Sequence, residues 1–425
     1  MENAKSTMRS SLDLGENYPT DISSLQSEYS CYYPINQISD DTTPISFVVP
    51  SSSIHYVQFN DSFVYLKLKI VSSTGATWTA TDVVAGSFDL LSSIFSGIEI
   101  DMNGCLVSKT ATLLPYRSHI LKLLTRDKGY KDTIATSEFW YPDTKANTFD
   151  TDNSGFTTRA AFSTASAPFE ILGRLSESIF ETPKYFPPQI NTKILLRRSA
   201  SEFCLDTSVT TTKYKLSISE CVLYVRRHVV YPSVIAYHHK LLSSNRKFQY
   251  PLKQFEIRTF NLAVGTSSTL SEVLYRNLLP EYLLVSFVST QAALGTQNKS
   301  CFNFDPFGIS ELQVKVDGDA QVYQSLNFDF DKKLYLMGFN TLQSAVGTLG
   351  ADHGLSRTDY ANGNFLVCFS INPSPTAYGL VPERHGSVQI SLKFAKSLTE
   401  AVTCIVVAQF QSTLEIDSHY NVSLI

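Results

Sequence analysis

Phe95 to Gly104 reads Phe-Ser-Gly-Ile-Glu-Ile-Asp-Met-Asn-Gly, and Phe307 to Gly318 reads Phe-Gly-Ile-Ser-Glu-Leu-Gln-Val-Lys-Val-Asp-Gly. Both runs alternate apolar and polar residues, the period of a strand with one buried face. They end on Asn103-Gly104 and Asp317-Gly318. Such pairs accept the positive φ of a two-residue hairpin turn. The ends of the two halves echo each other as well. Lys193 to Arg198 followed by Tyr214 to Arg227 matches Gln389 to Phe394 followed by Thr403 to Ile416. A strand-built repeat of roughly half the chain predicts two tandem β-domains of one type.

Composition agrees. The chain has 425 residues, room for two or three domains. Only 17% of them are charged, while Phe (27) and Tyr (22) are plentiful, a sheet-forming balance. The net charge of −4 argues against a protein that coats nucleic acid over a wide surface, and leaves room for a local basic patch. The 7 cysteines include no Cys-x-x-Cys pair, and no apolar leader opens the chain. Reduced thiols in an intracellular compartment follow. No run approaches the roughly 20 apolar residues of a membrane span.

Along the chain, Met1 to Ile35 is polar and aperiodic, and reads as an extended arm that orders on docking. Strands follow at Ile45–Val49, Tyr56–Phe59 and Phe63–Val71. Tyr116, Ile120, Leu123 and Leu124 recur at helical spacing, with Arg117 and Lys122 elsewhere on the wheel. They predict a short amphipathic helix after the first hairpin. Phe139 to Ser166 reads as a long polar loop without hydrophobic anchors. Further strands are expected at Phe169–Leu172, Thr192–Arg197 and Tyr214–Val229, then a linker at Tyr231–Ser244.

The second half repeats the scheme, with strands at Phe255–Leu262, Leu283–Val288 and Ile309–Val316. Thr269-Leu-Ser-Glu272 has the form of a capping box, which predicts a helix carrying Leu270, Val273, Leu274 and Leu278. A second post-hairpin helix carries Tyr335, Phe339, Leu342 and Val346. A polar loop, Gly347–Asn364, precedes three closing strands. The fold class is therefore all-β: two tandem eight-stranded jelly-roll β-sandwiches, a double jelly roll, with short helices inserted in loops. The boundaries are an arm at 1–35, a first jelly roll at 36–232 and a second at 233–425.

Chemistry is scarce. His238-His239 would point to opposite faces of a strand and make a poor chelate. Asp352-His353 lies in a Gly-rich run that lacks the spacing of a phosphate loop, and no Gly-x-Ser-x-Gly elbow occurs. No catalytic, cofactor-binding or metal-binding residue is assigned, and the chain reads as a non-enzyme. The densest basic pairs are Arg197-Arg198 and Arg226-Arg227. They suit either a charged, solvated strand edge or a basic patch facing nucleic acid or an acidic partner.

Leu91 to Leu124 contains Ser-Ile-Phe-Ser-Gly-Ile-Glu-Ile-Asp-Met-Asn-Gly and then Leu-Pro-Tyr-Arg-Ser-His-Ile-Leu-Lys-Leu-Leu. This resembles the double jelly-roll major capsid proteins of Polinton/Maverick elements and adintoviruses. Gly173 to Phe180, Pro187 to Ser199, Leu279 to Val288, Asn303 to Ile309, Gly386 to Phe394 and Leu414 to Ser418 are similar to further elements of that family. Leu114-Pro115-Tyr116 stands where the family tends to have Tyr-Pro-Tyr. The resemblance implies a homotrimeric, pseudo-hexagonal capsomer that tiles an icosahedral shell. It implies a virion protein assembled inside the host cell and not secreted. Its partners would be other copies of itself, with penton and minor capsid proteins. No cofactor, sequence-specific nucleic acid contact or membrane span is implied, and the arginine pairs would form an inner-face patch. The competing reading is a domesticated or cellular β-sandwich binding protein that builds no shell.

Overall fold

The computed structural model describes residues 21, 23–38, 43–78, 83–110, 112–269, 272–320, 325–343, 354–371 and 383–425. The first half has eight principal strands: β1 (Ser24–Tyr32), β2 (Ile45–Val49), β3 (His55–Ser72), β4 (Phe95–Met102), β5 (Cys105–Thr110), β6 (Phe169–Gly173), β7 (Thr192–Arg198) and β8 (Tyr214–Val230). The second half has β9 (Phe248–Leu262), β10 (Glu272–Leu278), β11 (Tyr282–Ser289), β12 (Ile309–Val316), β13 (Asp319–Ala320), β14 (Leu366–Ser370), β15 (His385–Phe394) and β16 (Val402–Ile416).

The first half pairs these as β1-β8-β3-β6 and β2-β7-β4-β5. The second pairs them as β9-β16-β11-β14 and β10-β15-β12-β13. Counted within its own half, each set runs 1-8-3-6 and 2-7-4-5. The two halves are thus the same all-antiparallel double sheet, a jelly roll made twice. Alternation fills each core. In β3, Val64, Leu66, Leu68 and Ile70 are buried, while Phe63, Tyr65, Lys67 and Lys69 face outward. In β11 every residue is buried, because that sheet has a core on one face and further apolar cover on the other.

The hairpin pairs sit as their types require. Asn103 and Gly104 have φ of 50° and 85°, and Asp317 and Gly318 have 52° and 91°. Both turns also anchor. Asn103 Nδ2 donates to Gln189 O (3.2 Å) and to Tyr420 O (2.9 Å), which fastens the first half's hairpin to the chain's C-terminal region. Asp317 Oδ1 accepts from the Ser387 amide (2.7 Å) at the start of β15. A Cβ at Gly104 would meet nothing within 4 Å, so only its φ resists substitution. Gly104→Val is expected to cost about 1–2 kcal/mol, read as a lowered melting temperature; an unchanged one contradicts the turn.

Several expectations need correction. The arm is not free from end to end. Residues 24–32 form β1, paired with β8 from Ser24↔Val230 to Tyr32↔Leu223, so the first sandwich opens before residue 36. Residues 1–20 and 22 lie outside the described residues. The helix expected from Thr269 is strand β10. A bulge between Val273 and Tyr275 turns the adjacent Leu274 and Tyr275 inward together, which imitates helical spacing. Leu270, Val346, Asp352 and His353 lie outside the described residues.

Tyr231–Ser244 is no irregular linker. Helix α3 spans Pro232–Ser243, with Pro at its first turn. His238-His239 lie on this helix, where His238 Nδ1 is 2.8 Å from Tyr56 OH. The long loop at 139–166 is anchored after all. Phe139, Trp140, Phe149 and Phe156 are buried, and helix α2 (Ser154–Phe162) starts at Asn153, whose side chain accepts from Phe156 N. Its polar composition hid anchors spaced too irregularly to show a period.

Candidate functional site: the joint between the two sandwiches

Helix α1 (Leu114–Thr125) follows the first hairpin, with Pro115 in its opening turn. Tyr116, Ile120, Leu123 and Leu124 form the apolar face that the sequence predicts, but the core they join belongs to the second sandwich. Leu114 stays with the core of the first. A helix gripped from both sides has no solvent face, so Leu114 to Leu124 are all buried, Arg117, His119 and Lys122 included. Their partners are buried acids of the first half.

Lys122 Nζ lies 2.5 Å from Asp89 Oδ1 and 2.6 Å from Glu138 Oε2. His119 Nδ1 lies 3.0 Å from Asp89 Oδ2. A carboxylate only accepts, so that nitrogen carries the proton. Tyr130 OH donates to Glu138 Oε1 at 3.0 Å. Asp89 holds φ of 61°, a left-handed value that aims its carboxylate at α1. The His119 ring stacks on Phe302 of the second half (4.2 Å between centroids) and on Trp140 (5.3 Å).

One turn earlier, Arg117 pairs with Glu177, which also accepts from Ser108 Oγ (2.6 Å) and Thr110 Oγ1 (3.2 Å). The Arg117 guanidinium lies 4.9 Å from the ring centre of Phe255 on β9. A third buried cation, Arg159 on α2, donates to Gly86 O (2.8 Å) and Tyr141 O (2.5 Å) and meets Asp143 (2.8 Å) and Asp206 (3.3 Å).

Burial opposes charge at Asp89, Lys122 and His119, and its balance against pairing differs among the three. The carboxyl of Asp89 loses solvent, but Lys122 and His119 outweigh the loss and hold its pKa below the usual value. The Lys122 ammonium is likewise desolvated, yet Asp89 and Glu138 raise its pKa. For His119 burial wins over Asp89 and the pKa falls. His228 and His238 are lowered too, mainly by burial. A base depressed in the fold binds its proton more readily when unfolded. Its stabilising effect is complete above the unfolded pKa of about 6.5 and is lost as pH falls from there. Melting temperature is expected to drop between about pH 6.5 and pH 5, with a shallower slope in His119→Asn. A flat profile in the unmodified chain contradicts a neutral His119.

Such an arrangement holds two bodies in one orientation. Its buried cations Arg117, Lys122 and Arg159 each meet a buried carboxylate. Among the described residues no group of three or more His, Cys, Asp or Glu is placed to hold a metal ion, and no helix is long and apolar enough to cross a membrane.

The arginine pairs are not brought together. Arg197 reaches Glu99 (2.9 Å) and Arg198 donates to Leu216 O (3.0 Å). Arg226 lies over Tyr29 (4.7 Å) and reaches Ser27 Oγ (2.8 Å). Arg227 lies over Tyr32 (5.3 Å) and donates to Pro50 O (3.1 Å). Leu216 and Arg226 are about ten residues apart on β8, roughly 33 Å along the strand. The pairs thus occupy different sheets at different ends, and Arg226 and Arg227 serve to hold β1. The joint itself was not legible in the sequence. Asp89, Glu138, Glu177 and Arg159 give no local signal. The available hint was three basic or titratable residues inside an otherwise apolar helix.

No family model matches this chain. An uncharacterized protein of Caenorhabditis elegans is 19% identical over 388 residues, covering 88% of this chain and 91% of the relative. Among solved structures, a chain from the cryo-EM structure of the Sputnik virophage aligns over 100% of this chain and 93% of its own length, with a TM-score of 0.71 and 13% identity. The Faustovirus major capsid protein aligns at TM-score 0.61 and 10% identity, over 94% of this chain and 92% of that one. The mavirus major capsid protein aligns at 0.56 and 11% identity, over 98% and 93%. At these identities the likeness is one of fold, and that fold is the double jelly roll.

Proposed function

We propose that this chain is a major capsid protein, the subunit of a homotrimeric, pseudo-hexagonal capsomer that tiles an icosahedral shell. The observation that carries the reading is the pairing of two sandwiches of identical strand order through a closed, buried joint. A rigid block of two like bodies, taken three times around an axis, offers six like bodies to a hexagonal lattice. The solved neighbours named above, two of them major capsid proteins, support the reading at the level of fold. Within it the chain resides in the virion, meets copies of itself first, and meets penton and minor capsid proteins at lattice vertices and seams. The finer kinship with Polinton/Maverick and adintovirus proteins rests on the sequence resemblance.

The nematode relative favours a second reading. A similar chain carried by an animal can keep the fold as a domesticated binding protein and build no shell. Negative-stain images of the purified full chain separate the two. Three-lobed or hexagonal plates, with shells at high concentration, support the capsomer. Single two-lobed particles at every concentration favour the second reading.

A further inference from the structure

One stretch of the chain carries a charge that the capsomer reading leaves unused. From Cys221 to Phe255 it holds Arg226, Arg227, Lys240, Arg246, Lys247 and Lys253 and no Asp or Glu, in a chain whose net charge is −4. The fold gathers the middle of this stretch at one end of the molecule. There β8 ends at Val230, and β1 and β3 begin beside it, with Ser24 opposite Val230 and His55 opposite Val229. Helix α3 crosses from one half to the other, and β9 begins at Phe248.

A cavity of about 630 Å³ opens beside α3 at that end. Its size is that of a site for a small ligand. Four rings line it, Tyr56 and Tyr185 from the first half and Phe248 and Tyr250 from the second. Their places are fixed before anything binds. Tyr250 stacks on Phe186 (4.5 Å between centroids) and Tyr185 on His228 (4.4 Å). His238 on α3 holds the other two, with Nδ1 2.8 Å from Tyr56 OH and its ring centre 5.4 Å from that of Phe248.

The rim is basic. Lys184 Nζ donates to Gln249 O at 2.7 Å and lies 5.9 Å from the centre of the Tyr250 ring. Lys240 and Arg246, on α3 and just after it, are exposed. Among the described residues none of these three cations pairs with a carboxylate. Lys247 is matched by Glu415 at 2.6 Å. Asp21 is the one acid among the described lining residues, and the Ser23 amide donates to it at 2.9 Å.

Fixed aromatic walls suit a flat body, and unmatched cations suit negative charge. A nucleotide supplies both, a base for the rings and phosphate for the rim. We propose that this cavity binds single-stranded nucleic acid, with one base against Tyr185 and Tyr250 and the flanking phosphates on Lys184, Lys240 and Arg246. Stacking and charge read no base sequence, and a single cavity per chain agrees with a protein too acidic to coat nucleic acid broadly. The inference is independent of the capsomer reading and applies equally to a chain that builds no shell.

The test uses the full chain and a fluorescent oligothymidylate of about ten nucleotides, within the ~4–16 that known single-strand grooves span. Anisotropy across about 0.05–0.2 M salt gives the affinity and its salt slope. Lys184→Gln should weaken binding at least about threefold and flatten the slope by roughly 0.7, the share of one phosphate contact. Tyr185→Leu should weaken it at least about fivefold, as for a lost base stack, and leave the slope unchanged. Lys332→Gln removes an equal charge from a residue that is 75% exposed and outside the cavity, and should change neither. Circular dichroism checks that each variant keeps the parent's melting temperature. A second measurement needs no variant: iododeoxyuridine in the oligonucleotide, cross-linked by ultraviolet light, should mark Tyr185 or Tyr250 in the peptide map. The proposal fails if the oligonucleotide does not bind, if Lys184→Gln and Lys332→Gln weaken it equally, or if the cross-link falls elsewhere. Displacement by oligoglutamate as readily as by unlabelled oligothymidylate would reduce the site to a patch of charge. Binding to phosphatidylserine vesicles in place of the oligonucleotide would assign it to a lipid surface. Either result overturns the proposal.

Discussion

Lys122→Met is expected to lower stability by about 3–5 kcal/mol, because it leaves Asp89 and Glu138 as buried carboxylates without their cation. The lost attraction is only part of the cost. Most of it comes from two acids that can neither ionise freely nor reach water. The deficit should shrink at acid pH, where protonation of the carboxylates relieves the unpaired charge. Removing all three charges together, as Asp89→Asn, Lys122→Met and Glu138→Gln, should restore much of the loss. Denaturant titration of the parent, the Lys122→Met chain and the triple variant at pH 7 measures this. A Lys122→Met chain within about 1 kcal/mol of the parent would show that the joint is not held by this cluster, against the range expected for a broken buried pair.

Deleting residues 1–33 is expected to cost at least about 3 kcal/mol or to yield insoluble protein, at roughly 1 kcal/mol for each lost ladder hydrogen bond. The deletion removes β1 and opens the whole edge of β8, a template for aggregation. It also removes the stack of Arg226 on Tyr29 (4.7 Å) and the contact of Tyr29 with Phe63 (5.4 Å). Deletion of residues 1–20 leaves every described contact in place and should keep the melting temperature. Equal behaviour of the two truncations would remove β1 from the first sandwich.

The contrast between β1 and β12 shows what a single sequence reveals. Leu312–Val316 alternates cleanly because one face is core and the other more open. A bulge between Ile309 and Glu311 disturbs only the start of the pattern, and the bounds of β12 were readable to the residue. Ser24–Tyr32 is an edge strand whose first six residues are all exposed, so burial writes no period into it. In β10 a bulge scrambled the period and produced a false helix. Helix α1 was legible as a helix because its apolar residues recur at helical spacing. Its Arg117 and Lys122 were read only as lying elsewhere on the wheel, since their partners Asp89, Glu138 and Glu177 are distant in sequence. Pairings of that kind are set by the tertiary fold and leave no mark on the local pattern. The Asn103-Gly104 and Asp317-Gly318 turns were readable for the opposite reason: a positive φ is a local demand with a local residue preference.

The central claim is that this two-sandwich chain assembles by threes. Its most direct test is the mass of the purified full-length chain at micromolar concentration, by light scattering after size exclusion. One chain is 47.4 kDa. The account predicts a species of about 142 kDa, as closed threefold symmetry requires. A single species of one chain's mass, unchanged by concentration or salt, would contradict it.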